Sequence, residues 1–238
     1  AECGDDHLLN PNDIQKRITN KTKAIMPVQL NGRTCNMDSI IDIAEKNNLL
    51  IIEDSAQGLG SLYKDKMAGT FGLAGTYSFY PAKVLGCFGD GGAVVTNDEN
   101  IYSKVSEMRD HGRDHNGEHV SWGFNSRLDN LQAAIVDIKL NDLDKNNSIR
   151  RDIAKRYTNG LNGLPIIFPN KPEINGDYYD VFNSYVIRAE NRDELVKYLR
   201  DNGVEVFVHI YKPLSCYPSL GLEGNDLSFN EKICREIL

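Results

Sequence analysis

Two groups of residues have the types and spacing to do chemistry. In IIEDSAQ, Glu53 and Asp54 follow an apolar run, Leu49 to Ile52, and in SFYPAK a single lysine, Lys83, follows a second strand-like run, AGTYSFY. Ligands of open α/β sheets bind beyond the C-terminal ends of the strands, so both groups are expected at one edge of a sheet. A carboxylate there can bind a metal, accept a proton or hold a cationic ring nitrogen; the plainer alternative is an acidic cap on the element that follows. A lysine is ordinarily a solvated surface charge. One drawn partly out of water holds its proton less tightly and becomes an amine nucleophile. Lysine and acid together are what pyridoxal phosphate asks of a protein: an amine for its aldehyde and an acid opposite its pyridinium nitrogen, with further donors for its phosphate. At an effective dielectric of about 20, a carboxylate about 4 Å from the pyridinium is attracted by roughly 4 kcal/mol before desolvation, which keeps the ring protonated and electron-withdrawing. Gly86, Gly89, Gly91 and Gly92 follow the lysine in a spacing that fits neither nucleotide-cradling motif, and are read as a turn back into GAVVTN.

The elements that must position these groups are legible in the hydrophobic pattern. TKAIMPV, from Thr22 to Val28, is largely apolar, and NMDSIIDIAEKNN repeats Met37, Ile40, Ile41 and Ala44 at helical spacing. LLIIEDS is apolar at consecutive positions, as in a strand buried on both faces by flanking helices. Strand, helix and strand make a βαβ unit and a mostly parallel sheet flanked by helices. AGTYSFY and GAVVTN read as further strands, and DENIYSKVSEMRDHG as a helix with Ile101, Val105 and Met108 on one side. Ser126 to Leu140 is expected to be a helix capped by Ser126, with Leu128, Leu131, Ile135 and Ile138 on one face, and a second helix is expected from Ser148 to Leu161. Beyond GLNGLP come an alternating strand, FNSYVIRAE, a helix, RDELVKYLRDNG, and a strand, VEVFVHI. The expected division is a large α/β domain over residues 1–145 and a small C-terminal α+β domain over 146–238. A short polar stretch before the first βαβ unit, and a last segment, EKICREIL, that ends inside a helical pattern, give the expectation that the chain is incomplete at both ends.

Composition narrows the function classes. The 238 residues are 40% hydrophobic and 26% charged, enough for a buried core. A net charge of −7 with scattered Lys and Arg offers no basic footprint for nucleic acid. No apolar run approaches the roughly 18 residues that cross a bilayer, and AECGDDHLLNPND lacks the regions of a signal peptide, so a cytoplasmic protein without a membrane partner is expected. Five cysteines without a C-x-x-C pair are read as reduced packing thiols, with no zinc site and no disulfide framework.

EDSAQ, SFYPAK, GDGGAVVTND, DHGRD and GFNSRLDNLQAA, in that order, resemble the DegT–StrS family of pyridoxal-phosphate-dependent nucleotide-sugar aminotransferases, and the likeness extends from KTKAIMPV to VHIYKPL. The resemblance implies a fold-type-I transferase, a homodimer with active sites at the subunit boundary, and transfer of an amino group from glutamate to a nucleotide-linked keto sugar. It implies Lys83 as the Schiff-base lysine and proton shuttle, and Asp54 as the partner of the ring nitrogen. Gln57 would lie beside the ring and its phenolic oxygen, Ser78 on the phosphate, and Asn125 on the phosphate of the neighbouring subunit. The family commonly has a histidine and an aromatic residue where this chain has Gln29 and Asn31. Relatives that dehydrate sugars carry a histidine in place of the lysine, so Lys83 argues against that chemistry. A catalytically silent regulatory or scaffold protein on the same fold is the alternative from a different class.

Other residues are weighed against simpler roles. His115 and His119 have the spacing of a helical metal pair, but Gly117 between them favours a solvated loop, and no metal site is expected. His111 and His209 are read equally as capping or packing residues and as substrate contacts. Trp122 and Phe124 are expected in core or interface packing ahead of sugar stacking. For Arg127 an ion pair at a helix start is the simpler account than a phosphate contact.

Overall fold

The computed structural model describes residues 1–172, 176–222 and 226–238. Its main sheet has the strand order β1-β2-β5-β6, built from β1 (Ala24–Ile25), β2 (Leu50–Asp54), β5 (Ala74–Ser78) and β6 (Gly92–Val95). The β1/β2 and β2/β5 pairs are parallel and β6 runs antiparallel to β5, so the expected mostly parallel sheet is present. Between β2 and β5 lies a hairpin of β3 (Leu62–Tyr63) and β4 (Lys66–Met67), extended into a small antiparallel sheet by β7 (Tyr178–Tyr179). Lys64 and Asp65 both have positive φ, as a two-residue type I′ hairpin turn requires.

The helices are α1 (Pro11–Arg17), α2 (Met37–Lys46), α3 (Glu99–Arg109), α4 (Asn130–Leu140), α5 (Leu143–Gly160), α6 (Arg192–Asp201) and α7 (Ser228–Glu236). Local chemistry sets several of their starts. Asn10 accepts from Asn12 N ahead of Pro11 in the first turn of α1, Asn36 caps α2 through Ser39 N, and Asp98 caps α3 through Asn100 N and Ile101 N. Asn146, the expected start of the small domain, lies inside α5.

The core sits between α1, α2 and one face of the main sheet, where Ile14, Met37, Ile40, Ile43 and Ala44 pack with Ile25 and Ile51. This arrangement corrects the expectation that the LLIIEDS strand is buried on both faces. Ile51 and Glu53 face the core, whereas Leu50 and Ile52 lie on the other side and stay 52% and 37% exposed. A strand alternates its side chains, and no described element covers that second face.

Three further expectations are corrected. Helix α4 begins four residues later than Ser126, with Asp129 at the cap position, and has no buried residue; Leu131 and Ile138 are exposed. The periodicity matches a helix, but of its apolar face Leu128 and Ile135 are only partly covered and Leu131 and Ile138 stay exposed. FNSYVIRAE forms only isolated bridges, Arg188 to Ile167 and to Ile237, and VEVFVHI belongs to no strand, because neither finds a continuous neighbour to pair with.

Ile40 is fully buried in the α2 stripe. Ile40→Ala is expected to cost about 3 kcal/mol of stability, read from urea denaturation followed by circular dichroism; a loss under about 1 kcal/mol would contradict this account of the core.

Candidate active site

The site begins with the alternation of β2. Glu53 is fully buried and points into the core, where its carboxylate accepts from Gln29 Nε2 (2.7 Å), Gly69 N (2.7 Å), Phe71 N (2.6 Å) and Gly72 N (2.9 Å). Gln29 is fully buried too, and its amide orientation is fixed because its Oε1 accepts from Cys35 N at 2.6 Å. The two neighbouring carboxylates therefore differ in role: Glu53 is an internal strut and Asp54 is left at the strand end. Asp54 lies opposite Thr76 of β5, its backbone pairs with Pro27 O and Gln29 N, and its Oδ1 accepts from Ala56 N at 3.0 Å. That last bond is the capping role weighed above, made here in a turn. Among the described residues the Asp54 carboxylate forms no ion pair.

Ser78 ends β5 two residues beyond Thr76, at the same edge, and its Oγ accepts from Tyr80 N at 3.2 Å. The chain then turns through the loop that carries Lys83. Lys83 N donates to Tyr80 O, Cys87 N donates to Phe79 O at 2.8 Å, and Phe79 N donates to Gly91 O at 2.7 Å, so the loop closes on its own base. Gly86 is required there, because a Cβ would sit 2.5 Å from Pro81 O. The Lys83 side chain is half-buried, and no hydrogen bond or ion pair to another described residue engages its ammonium.

Gln57, in the turn after β2, accepts from Asn31 N at 2.7 Å. An N–H must meet the amide oxygen, so the Gln57 NH2 remains as the outward donor. Asn31 has φ +59 and is held from the far side as well, since Gly32 O accepts from Val181 N and Arg33 pairs with Asp180 at 2.6 Å. Asp54, Gln57, Ser78 and Lys83 thus belong to the C-terminal ends of β2 and β5 and the segments that leave them. Asn125 is not brought to that edge by any described contact: it is exposed, bridges Asp110 and accepts from Arg127 at 3.4 Å.

The residues around Asn125 resolve the simpler readings. Arg127 pairs with Asp110 at 3.3 Å, beside Arg113 at 2.8 Å, in the ion-pair role. Residues 113–119 form a loop in which Asp114 Oδ1 accepts from Asn116 N and Glu118 N; His119 Nδ1 meets His111 O. His209 stacks on Phe207 with ring centroids 6.0 Å apart. Core packing is overturned for Trp122, which is 98% exposed, and for Phe124, whose ring stays 64% exposed although its backbone pairs with Met108 O and His111 N. Two residues that sequence reasoning missed are Gln132 and Lys139 of α4, which touch the lysine loop. Their only sequence signal is a separation of seven, two helical turns on one face.

The residues at the β2/β5 edge fit pyridoxal phosphate by type: an amine, a carboxylate, an amide NH2 and a hydroxyl. The model of the DegT/DnrJ/EryC1/StrS aminotransferase family matches residues 3–238. A pleiotropic regulatory protein of Geobacillus stearothermophilus is 40% identical over 236 residues, 97% of this chain and 63% of that protein. The dTDP-3-amino-3,4,6-trideoxy-alpha-D-glucose transaminase of Streptomyces venezuelae is 37% identical over 242 residues, 100% of this chain and 63% of that protein. The crystal structure of S. venezuelae DesV in complex with a ketimine intermediate superposes with a TM-score of 0.92 at 37% identity, covering 100% of this chain and 64% of that one. The chain therefore spans about 63% of the length of these curated relatives.

Two expectations test the site's construction without any ligand. Glu53→Gln places an amide against three backbone N–H groups and is expected to cost about 3 kcal/mol, whereas Asp54→Asn keeps its turn acceptor and is expected to change stability by under about 0.5 kcal/mol; denaturation curves of both variants check the contrast. Hydrogen bonds from Arg113 to Asp110, and from Glu118 N to Asp114, hold both carboxyls below the ordinary carboxylate value. Their stabilisation is present above an unfolded pKa of about 3.9 and is lost as pH falls through the lower folded values. Protection of the amides in residues 111–119, referred to the intrinsic exchange rate at each pH, is expected to fall over that acidic window and to stay unchanged from pH 5 to pH 7 on the scale of carboxylate titration.

Proposed function

The chain belongs to the DegT/DnrJ/EryC1/StrS aminotransferase family, and from that premise we propose that it is a pyridoxal-phosphate-dependent aminotransferase of nucleotide-linked keto sugars. Its amino donor is glutamate, its setting is cytoplasmic amino-sugar biosynthesis for a surface polysaccharide or a glycosylated metabolite, and it acts as a homodimer. The observation that carries the reading is that Asp54 ends β2 and Lys83 follows the end of the neighbouring parallel strand β5, neither side chain forming an ion pair with a described residue. No helix among the described residues is long and apolar enough to cross a membrane.

When bound, pyridoxal phosphate supplies an electron sink next to the reacting carbon. Lys83 would supply the amine for its aldehyde and would take up and return a proton at Nζ. Asp54 would keep the ring nitrogen protonated through its carboxylate. Gln57, whose carbonyl already accepts from Asn31 N, would offer its NH2 to the phenolic oxygen. Ser78 Oγ accepts from Tyr80 N and retains its own hydrogen to donate to the phosphate. Asn125, together with the exposed Trp122 and Phe124, is assigned to the boundary with the second subunit, where it reaches the partner's phosphate.

The test is a visible absorption spectrum of the full-length protein with pyridoxal phosphate, beside Lys83→Ala. A Schiff-base band fixed by borohydride, bleached by glutamate and absent from the variant is the expected result, followed by ping-pong kinetics with a keto-sugar substrate. The name of the Geobacillus relative favours one second reading, a regulatory protein on this fold. Absence of the band from the wild-type protein would favour that reading and sink the enzyme.

A further inference from the structure

Helix α4 is packed against the lysine loop by polar side chains. Phe88 N donates to Gln132 Oε1 at 2.8 Å, and Lys139 Nζ donates to Gly86 O. The Lys139 ammonium also lies over the Phe88 ring, 5.5 Å from its centroid. Gln132 and Lys139 are seven residues apart, so two successive turns of one helix face meet the loop. The loop answers with small residues: a Cβ on Gly89 would come within 3.3 Å of Gln132 Nε2, and one on Gly91 within 2.9 Å of Leu128 Cδ1. Cys87 sits between the two anchors, fully buried, its thiol directed to Phe79 O and Gly89 O. Both anchored residues lie within five positions of Lys83.

We propose that Gln132 and Lys139 are positioning residues: they fix the Gly86–Phe88 segment from α4 and thereby hold the Lys83 amine at the edge of the sheet. This rests on the reading of Lys83 as the reacting amine, but its physical content is a statement about the loop. The closed turn at Phe79, Cys87 and Gly91 defines the loop's base, and the contacts to α4 fix Gly86 and Phe88 on either side of Cys87, so that the return strand of the loop is held two residues, Val84 and Leu85, away from Lys83. Removing an anchor leaves the fold of β5 and β6 intact and lets the amine sample more positions. A lysine amine that wanders is more often in water and less often in register with an aldehyde.

The experiment compares Lys139→Met and Gln132→Leu with Lys139→Arg and Gln132→Glu in the full-length protein. Arg keeps a cationic donor for Gly86 O, and Glu keeps an acceptor for Phe88 N. Deuterium exchange of residues 84–91 without cofactor, the pH profile of Lys83 acylation by acetic anhydride, and pyridoxal phosphate affinity are measured for each. The Met and Leu variants are expected to raise exchange in 84–91 and to weaken cofactor binding by roughly tenfold each, with a shifted acylation profile, while Arg and Glu return all three towards wild type. Wild-type exchange and an unshifted acylation profile in both Met and Leu variants would overturn the proposal. So would faster exchange throughout the chain that Arg and Glu fail to reverse, since that marks a general structural role. If the wild-type protein forms no Schiff base, the enzymatic reading falls, and exchange with acylation still decides whether α4 positions Lys83.

Discussion

A buried carboxylate, with no cation among the described residues beside it, organises this fold. Leaving an ionised group unpaired away from water costs several kcal/mol, so Glu53 is tolerable only while its donors stay in place. Those donors come from two places in the chain, the Gln29 side chain after β1 and the amides of Gly69, Phe71 and Gly72 ahead of β5, and the Cys35 amide in turn fixes which way the Gln29 amide faces. Satisfying one residue thus sets the relative placement of β1, β2 and β5. Gln29, a neutral amide, meets that carboxylate with a single well-oriented N–H. Because strand side chains alternate, anchoring Glu53 inward leaves Asp54 at the strand end on the opposite side.

Much of this was legible in the sequence because it is local. The 3.6-residue period of MDSIIDIAEK, the apolar runs ending in EDS and YSF, and the order of Asp54, Gln57, Ser78 and Lys83 behind them required no knowledge of distant residues. The NPND start of α1 was equally readable, with Asn10 as cap and Pro11 in the first turn, and was passed over as polar chain. The hairpin at Lys64 and Asp65 carries no glycine or asparagine at its turn, so its usual signature is missing.

What stayed hidden depends on partners far along the chain. Nothing near Phe88 announces Gln132, 44 residues away, as the acceptor of its amide. Alternation in FNSYVIRAE and VEVFVHI is a correct description of extended backbone, but a strand exists only where a neighbour supplies the ladder, and here the neighbours are single bridges or none. The consecutive apolar residues of β2 implied two covered faces, and the described residues cover one. A sequence records what a face prefers to meet; it does not record whether the partner is at hand.

The exposure of Trp122 has an optical side. It is the chain's single tryptophan, and it is 98% exposed. Its indole is therefore about as wet in this fold as in an unfolded chain, so unfolding an isolated copy would leave the tryptophan emission nearly unmoved. Anything that settles over that side chain would draw its emission to the blue. The protein thus carries an intrinsic fluorophore that is almost blind to folding and responsive to contact.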